Sequence, residues 1–139
     1  MNYKKCGNEY AVRLSVGDEI HSALAELCEK EDIAFARISG LGAVDTATLG
    51  FYDKREKKYH TTTFEGPMEL VSLIGNATRK DGKPYLHLHA SFSGRDCNLI
   101  GGHLNSAVIG VTAEIFVSVV DGVMGRRTQE ETGINLFDI

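Results

Sequence analysis

Cysteine is scarce in this chain: Cys6, Cys28 and Cys97 are spread through 139 positions. An odd number with no Cys-x-x-Cys pair argues against a disulfide framework and against a structural zinc site built on thiolates. Proline is scarcer still, with two residues, and no linker, repeat or low-complexity tract divides the chain. No apolar run is long enough to span a bilayer. The opening Met1-Asn2-Tyr3-Lys4-Lys5 lacks the apolar stretch of a signal peptide. The cytoplasm is therefore the expected compartment, with no membrane partner. Positive charge is also short: 15 Lys and Arg stand against 19 Asp and Glu, a net charge of −4. A sequence-independent grip on nucleic acid needs the opposite balance, so net charge does not support DNA as a partner.

What the chain does have is an ordinary hydrophobic share, 42%. A chain of this length buries roughly 68% of its unfolded surface, enough for a real core. Ser15-Val16-Gly17-Asp18 reads as a capping box, with Ser15 at the N-cap. The helix that follows places Ile20, Leu24, Leu27 and Cys28 on one stripe, and Glu29 to Asp32 end it in solvent. It is the one long helix expected.

The remainder reads as strand. Runs cover residues 10–14, 35–41, 44–52, 58–64, 68–78 and 85–92, and 108–120 is expected to be the longest. Gly40-Leu41-Gly42 is read as a tight turn, and its Ser39–Ala43 context lacks the Lys-Ser/Thr and the helix of a phosphate loop. Asp81-Gly82 marks a hairpin. Consecutive strands with short connections favour an antiparallel sheet, and one helix packed on it makes an α+β domain.

Three histidines carry the chemistry. In the run 85–92, Leu86, Leu88, Ala90 and Phe92 alternate with Tyr85, His87, His89 and Ser91. One face is core, the other polar. His87 and His89 then point the same way, about 7 Å apart along the strand. Gly101-Gly102-His103 brings a third imidazole back, and glycine lets the backbone approach closely. Three imidazoles suit a divalent transition metal with one position left open, zinc first among them. Glu114 is the only acid in an apolar strand. If that strand neighbours the histidines, Glu114 serves as fourth ligand, orienter or general base. His21 and His60 lie outside the cluster and are read as surface residues. A cupin would place an acid a few residues after the His pair, and residues 90–94 contain none.

Four ordered blocks carry a family resemblance. They are Tyr10-Ala11-Val12-Arg13-Leu14 with Gly17-Asp18, then Ser39-Gly40-Leu41-Gly42-Ala43-Val44, then Leu86-His87-Leu88-His89-Ala90, and Gly101-Gly102-His103-Leu104 leading to Ala113-Glu114-Ile115. Together they resemble the plant-and-prokaryote-conserved (PPC) domain. The resemblance implies an α+β fold assembled as a homotrimer, with a domain core at about 9–120 and a polar tail over 121–139. Prokaryotic members consist of this domain alone and are often labelled predicted DNA-binding proteins. Plant members add AT-hooks, whose Arg-Gly-Arg-Pro core is absent here, and a Gly-Arg-Phe-Glu-Ile segment, matched here by Gly66-Pro67-Met68-Glu69-Leu70.

Two functional expectations follow. The first is a regulatory, DNA-binding homotrimer with a metal on His87, His89 and His103 and a small anionic ligand in a subunit cleft. The alternative is a metal-dependent enzyme acting on a small molecule, with Glu114 as general base.

Overall fold

The computed structural model describes residues 1–139. The chain order is β1 (Asn2–Cys6), β2 (Glu9–Ser15), α1 (Ile20–Lys30), β3 (Ala36–Asp53), β4 (Lys58–Lys80), β5 (Lys83–Ser93), β6 (Leu99–Val119), β7 (Arg126–Thr128) and β8 (Asn135–Phe137). Six strands form one antiparallel sheet in the order β1-β2-β6-β3-β4-β5. β5 also pairs with the start of β6, so the circuit β6-β3-β4-β5 closes on itself. β7 and β8 form a separate small hairpin.

The helix is short, 11 residues, rather than long. Its stripe is as expected: Ile20, Leu24, Leu27 and Cys28 are fully buried, and the helix packs on β5 and β6. Each such leucine contributes about 1.5–3 kcal/mol by leaving water. The capping box is not formed. Gly17 sits at φ +86°, which breaks any helix begun at Ser15. Ser15 instead ends β2, and its N–H donates to Asp18 Oδ2 at 2.9 Å.

Glu19 is the true N-cap, accepting from the N–H groups of His21 (2.9 Å) and Ser22 (2.8 Å). It also accepts from Ala107 N–H of β6 at 3.3 Å, which ties the helix start to the sheet. Burial pushes the Glu19 carboxyl up, but the donated N–H groups outweigh it and hold it below the usual range. Glu19→Ala should therefore cost about 1–2 kcal/mol in urea unfolding. An unchanged midpoint would show that the cap carries no stability.

Several predicted boundaries merge. Gly40-Leu41-Gly42 is no turn: β3 runs straight through it, with shifts of register nearby. Glycine is required because β6 lies against it, and a Cβ on Gly42 would sit 2.7 Å from Ala113 Cα. The runs 58–64 and 68–78 join into β4, whose 23 residues make it the longest strand, ahead of β6 with 21. The Asp81-Gly82 hairpin holds, both residues having positive φ as a type I′ turn demands. β1 is unanticipated, and the polar tail forms its short strands as a separate hairpin, β7-β8, rather than as an edge of the main sheet. All three cysteines are free. No helix is long and apolar enough to cross a membrane.

Candidate metal centre

The alternation read in the sequence is what aims the site. Leu86, Leu88, Ala90 and Phe92 are buried, which turns His87 and His89 to the opposite face. β5 meets the first turn's length of β6 with His89 directly opposite His103. Directly opposed residues place their Cβ atoms about 4.5–5.5 Å apart, so the third ring joins the first two.

The rings do converge. Their centroids are separated by 5.2 Å (His87–His89), 5.3 Å (His87–His103) and 5.4 Å (His89–His103). One nitrogen from each lies within 4.8 Å of the others. His87 Nε2 and His89 Nε2 are 3.3 Å apart. Two nitrogens about 2.05 Å from a tetrahedral ion would be about 3.3 Å apart, so this edge already has the spacing of a coordination shell. His103 Nδ1 is buried and has no hydrogen-bond partner, the one such side-chain atom in the molecule. With no hydrogen bond to hold that nitrogen, the third ring is left uncommitted, as a ligand set requires.

Electrostatics point the same way. Burial pushes the His103 imidazole down to about 4, with further lowering from His87, His89 and His21. Burial likewise lowers His87, followed by the positive fields of His89 and Arg126. Neutral rings keep their lone pairs free, as a metal ligand must. The same shift makes the metal-free chain sensitive to acid. Between the ordinary histidine value of 6.5 and about 4, the unfolded chain binds the His103 proton and the folded chain does not. Stability therefore falls as pH drops through that window and levels off below it. Thermal midpoints of metal-free protein from pH 7 to pH 4 should decline, and His103→Gln should flatten the decline. Parallel curves for the two proteins would refute the assignment.

Glu114 is not part of this centre. It lies on β6 eleven residues beyond His103, about 36 Å along an extended strand. There it is exposed and stands opposite Arg13 and Leu41, because the β5–β6 pairing ends at Leu99–His103. The two strands are neighbours, as the sequence reading required, but over the wrong stretch for a shared face within one chain. His60 is exposed and paired with Glu56 at 2.9 Å. His21 is half-buried at the helix start and close enough to weigh on His103.

Other residues frame the centre without having been singled out in the sequence. The Tyr59 ring lies 5.8 Å from His103, and the Tyr52 ring 5.2 Å from Tyr59. Tyr85 was visible, two residues before His87 on the same face. Asn76 stands opposite His87 across β4–β5. Arg126 reaches in from the tail and donates to Asn76 Oδ1 at 2.5 Å and to Thr78 Oγ1 at 3.0 Å. No local pattern announces these contacts, since they depend on strand register and on where the tail docks.

A small antiparallel sheet closed through β6, with three convergent imidazoles on its outer face, defines a β-rich domain built around a metal-capable histidine centre. Comparison with known proteins agrees. A family model described as the Plants and Prokaryotes Conserved (PCC) domain matches residues 1–121, and the chain belongs to that family. A protein of Bacteroides thetaiotaomicron described as a "putative DNA binding protein" is 34% identical, with 99% of this chain and 96% of that one covered and a TM-score of 0.96. A metal-containing protein of Archaeoglobus fulgidus is also 34% identical, over 99% and 98% of the two chains, with a TM-score of 0.88. A plant- and prokaryote-conserved protein of Pyrococcus horikoshii is 29% identical, over 99% and 94%, with a TM-score of 0.88. No curated protein matches the chain.

Proposed function

We propose that this chain is a metal-binding regulatory module in which His87, His89 and His103 hold one divalent transition ion. The observation that carries this reading is the His87–His89 nitrogen spacing of 3.3 Å, with a nitrogen of His103 within 4.8 Å of both. The archaeal relative described as metal-containing supports it. Zinc suits three neutral imidazoles best, though nickel, iron and copper also accept nitrogen ligands. A bound ion would supply a Lewis-acidic centre. The protein's part is to hold three rings on rigid strands, with burial favouring the neutral form of His87 and His103.

The outer sheet face is the surface through which three copies assemble. Ile74 and Phe116 lie in one row on either side of Ser39, and Leu41 follows on the same face. These three are 58%, 51% and 57% exposed, a patch of the kind that marks association. His89 stands opposite Ile74, which sets the metal centre at the edge of that surface. DNA is the partner suggested by the description of the Bacteroides relative. Assembly offers the means, since a net charge of −4 per chain leaves only a locally basic surface for it. The whole of residues 1–139 acts as one domain in this reading.

Elemental analysis of protein purified without chelators or a His-tag tests the metal, and light scattering tests the assembly. About one ion per chain in a trimer is the expected result. Metal-free protein that stays so after incubation with zinc, nickel, iron and copper would overturn the reading. Duplex DNA binding should fall steeply between low and physiological salt. Absence of binding at low salt would remove DNA as a partner.

A further inference from the structure

The metal centre has too much positive charge for its surroundings. Histidine ligands bind a metal as neutral rings, so a bound dication keeps its full charge. No carboxylate joins the cluster. Arg126 adds another cation close by, and its partners are all neutral oxygens: Thr78 Oγ1, Asn76 Oδ1 and the Asn135 carbonyl. Lys80 Nζ likewise donates only to Asn135 Oδ1 and Thr128 Oγ1. Buried or half-buried cations without counter-charge are costly, and an anion arriving at such a place relieves that cost.

The structure also shows where it would sit. A shallow pocket of about 180 Å³ is lined by Ile74, Gly75, Asn76, His87 and His89. Apart from the two imidazoles, its one polar side chain is Asn76. Arg126 can only donate, so its hydrogen bond fixes Oδ1 of that amide toward the guanidinium. The Nδ2 group has no hydrogen bond of its own in the protein and is free to donate. The guanidinium itself is held rigid, 4.9 Å from the Tyr85 ring centroid and 4.4 Å from that of Phe137.

We infer that this pocket is a subsite for a small oxyanion, a carboxylate or phosphate, which takes the open metal position and accepts a hydrogen bond from Asn76 Nδ2. Arg126 is the positioning residue: it sets the Asn76 amide and supplies the second positive charge. It belongs to the tail, beyond the residues 1–121 that the family model matches. The subsite is thus a property of this chain's C-terminal hairpin as well as of the family core. The inference rests on the metal reading above.

The test uses the full chain loaded with cobalt(II), whose visible spectrum reports its coordination, titrated separately with acetate and inorganic phosphate at fixed pH. The wild type should show a saturable spectral change with at least one of them, and the two arms identify which oxyanion the pocket takes. Asn76→Ala, which leaves Arg126 in place, and Arg126→Gln should each weaken binding about tenfold or more at unchanged cobalt stoichiometry. Asn76→Asp should remove anion binding altogether, since it fills the subsite with the chain's own negative charge. Wild-type anion affinity in both Asn76→Ala and Arg126→Gln would overturn the inference while the metal reading stands, as would a cobalt-loaded wild type indifferent to both anions. A wild type that takes no cobalt would overturn the metal reading itself, and the subsite with it.

Discussion

A His87→Ala/His89→Ala variant should lose stoichiometric metal while keeping its fold. Structural zinc bound by four ligands is worth about 10–16 kcal/mol, or roughly 3 kcal/mol per ligand, so each imidazole removed weakens binding on the order of a hundredfold. Removing two leaves His103 alone, below any useful affinity. The fold should survive because both side chains stand on the polar face of β5, half-buried and exposed respectively, while Leu86, Leu88, Ala90 and Phe92 carry that strand's burial. The measurement is metal content after dialysis, paired with urea unfolding of the metal-free proteins. A variant that keeps one ion per chain would place the metal elsewhere. One that loses several kcal/mol of metal-free stability would make the rings structural.

Gly75→Ala should be the most damaging small substitution in the molecule. Gly75 lies on β4 opposite Leu88, in the middle of the β4–β5 ladder. A Cβ there would meet Leu88 Cα at 2.9 Å, Leu88 Cδ2 at 2.8 Å and, closer still, the His87 carbonyl oxygen. Two of those atoms are backbone and cannot rotate away, so β5 must move. The cost should reach about 3 kcal/mol, the upper part of the usual range for overpacking. The displaced segment is the one that carries His87, so metal affinity should fall together with stability. Gly94→Ala is the control: its Cβ would meet only Asp96 Oδ1 at 3.6 Å. Urea unfolding and metal titration of the pair decide the matter, and equal stability of the two variants would contradict the packing argument.

The histidine centre was legible because its pattern is local. Alternation along β5 shows on one line of sequence which side His87 and His89 take, and the two glycines before His103 announce a close return of the backbone. Glu114 shows the limit. Its strand does neighbour β5, but alternation says nothing about which stretch of a 21-residue strand does the pairing. Leu99–His103 pairs with β5, whereas Thr112–Ser118, the stretch that holds Glu114, pairs with β2. The predicted turn at Gly40-Leu41-Gly42 failed for a related reason. Glycine marks both a bend and a place where another backbone comes close, and here the second cause applies. Ser15 and Asp18 have the spacing of a capping box, yet backbone pairing of Gly17 and Asp18 with Ile109 claimed that segment first. β1 and the tail hairpin carry too few apolar residues to signal themselves. They are held by contacts from far along the chain, such as Tyr3 to Glu31 and Arg126 to Asn76.

The position of β6 has a consequence for how the protein comes to exist. It is the last long strand to be made, and β2, β3 and β5 all pair with it. Until the ribosome has released Val119, β2 has only the short β1 beside it and β3 and β5 each keep an unpaired edge. Such edges are templates for pairing with other chains. Synthesis that stops before Leu99 should therefore yield aggregating fragments rather than a smaller folded protein. Refolding of the complete chain should be slow for its size, because closing the circuit joins segments far apart in sequence. The strand that brings the third histidine is thus also the one whose arrival commits the chain to its fold.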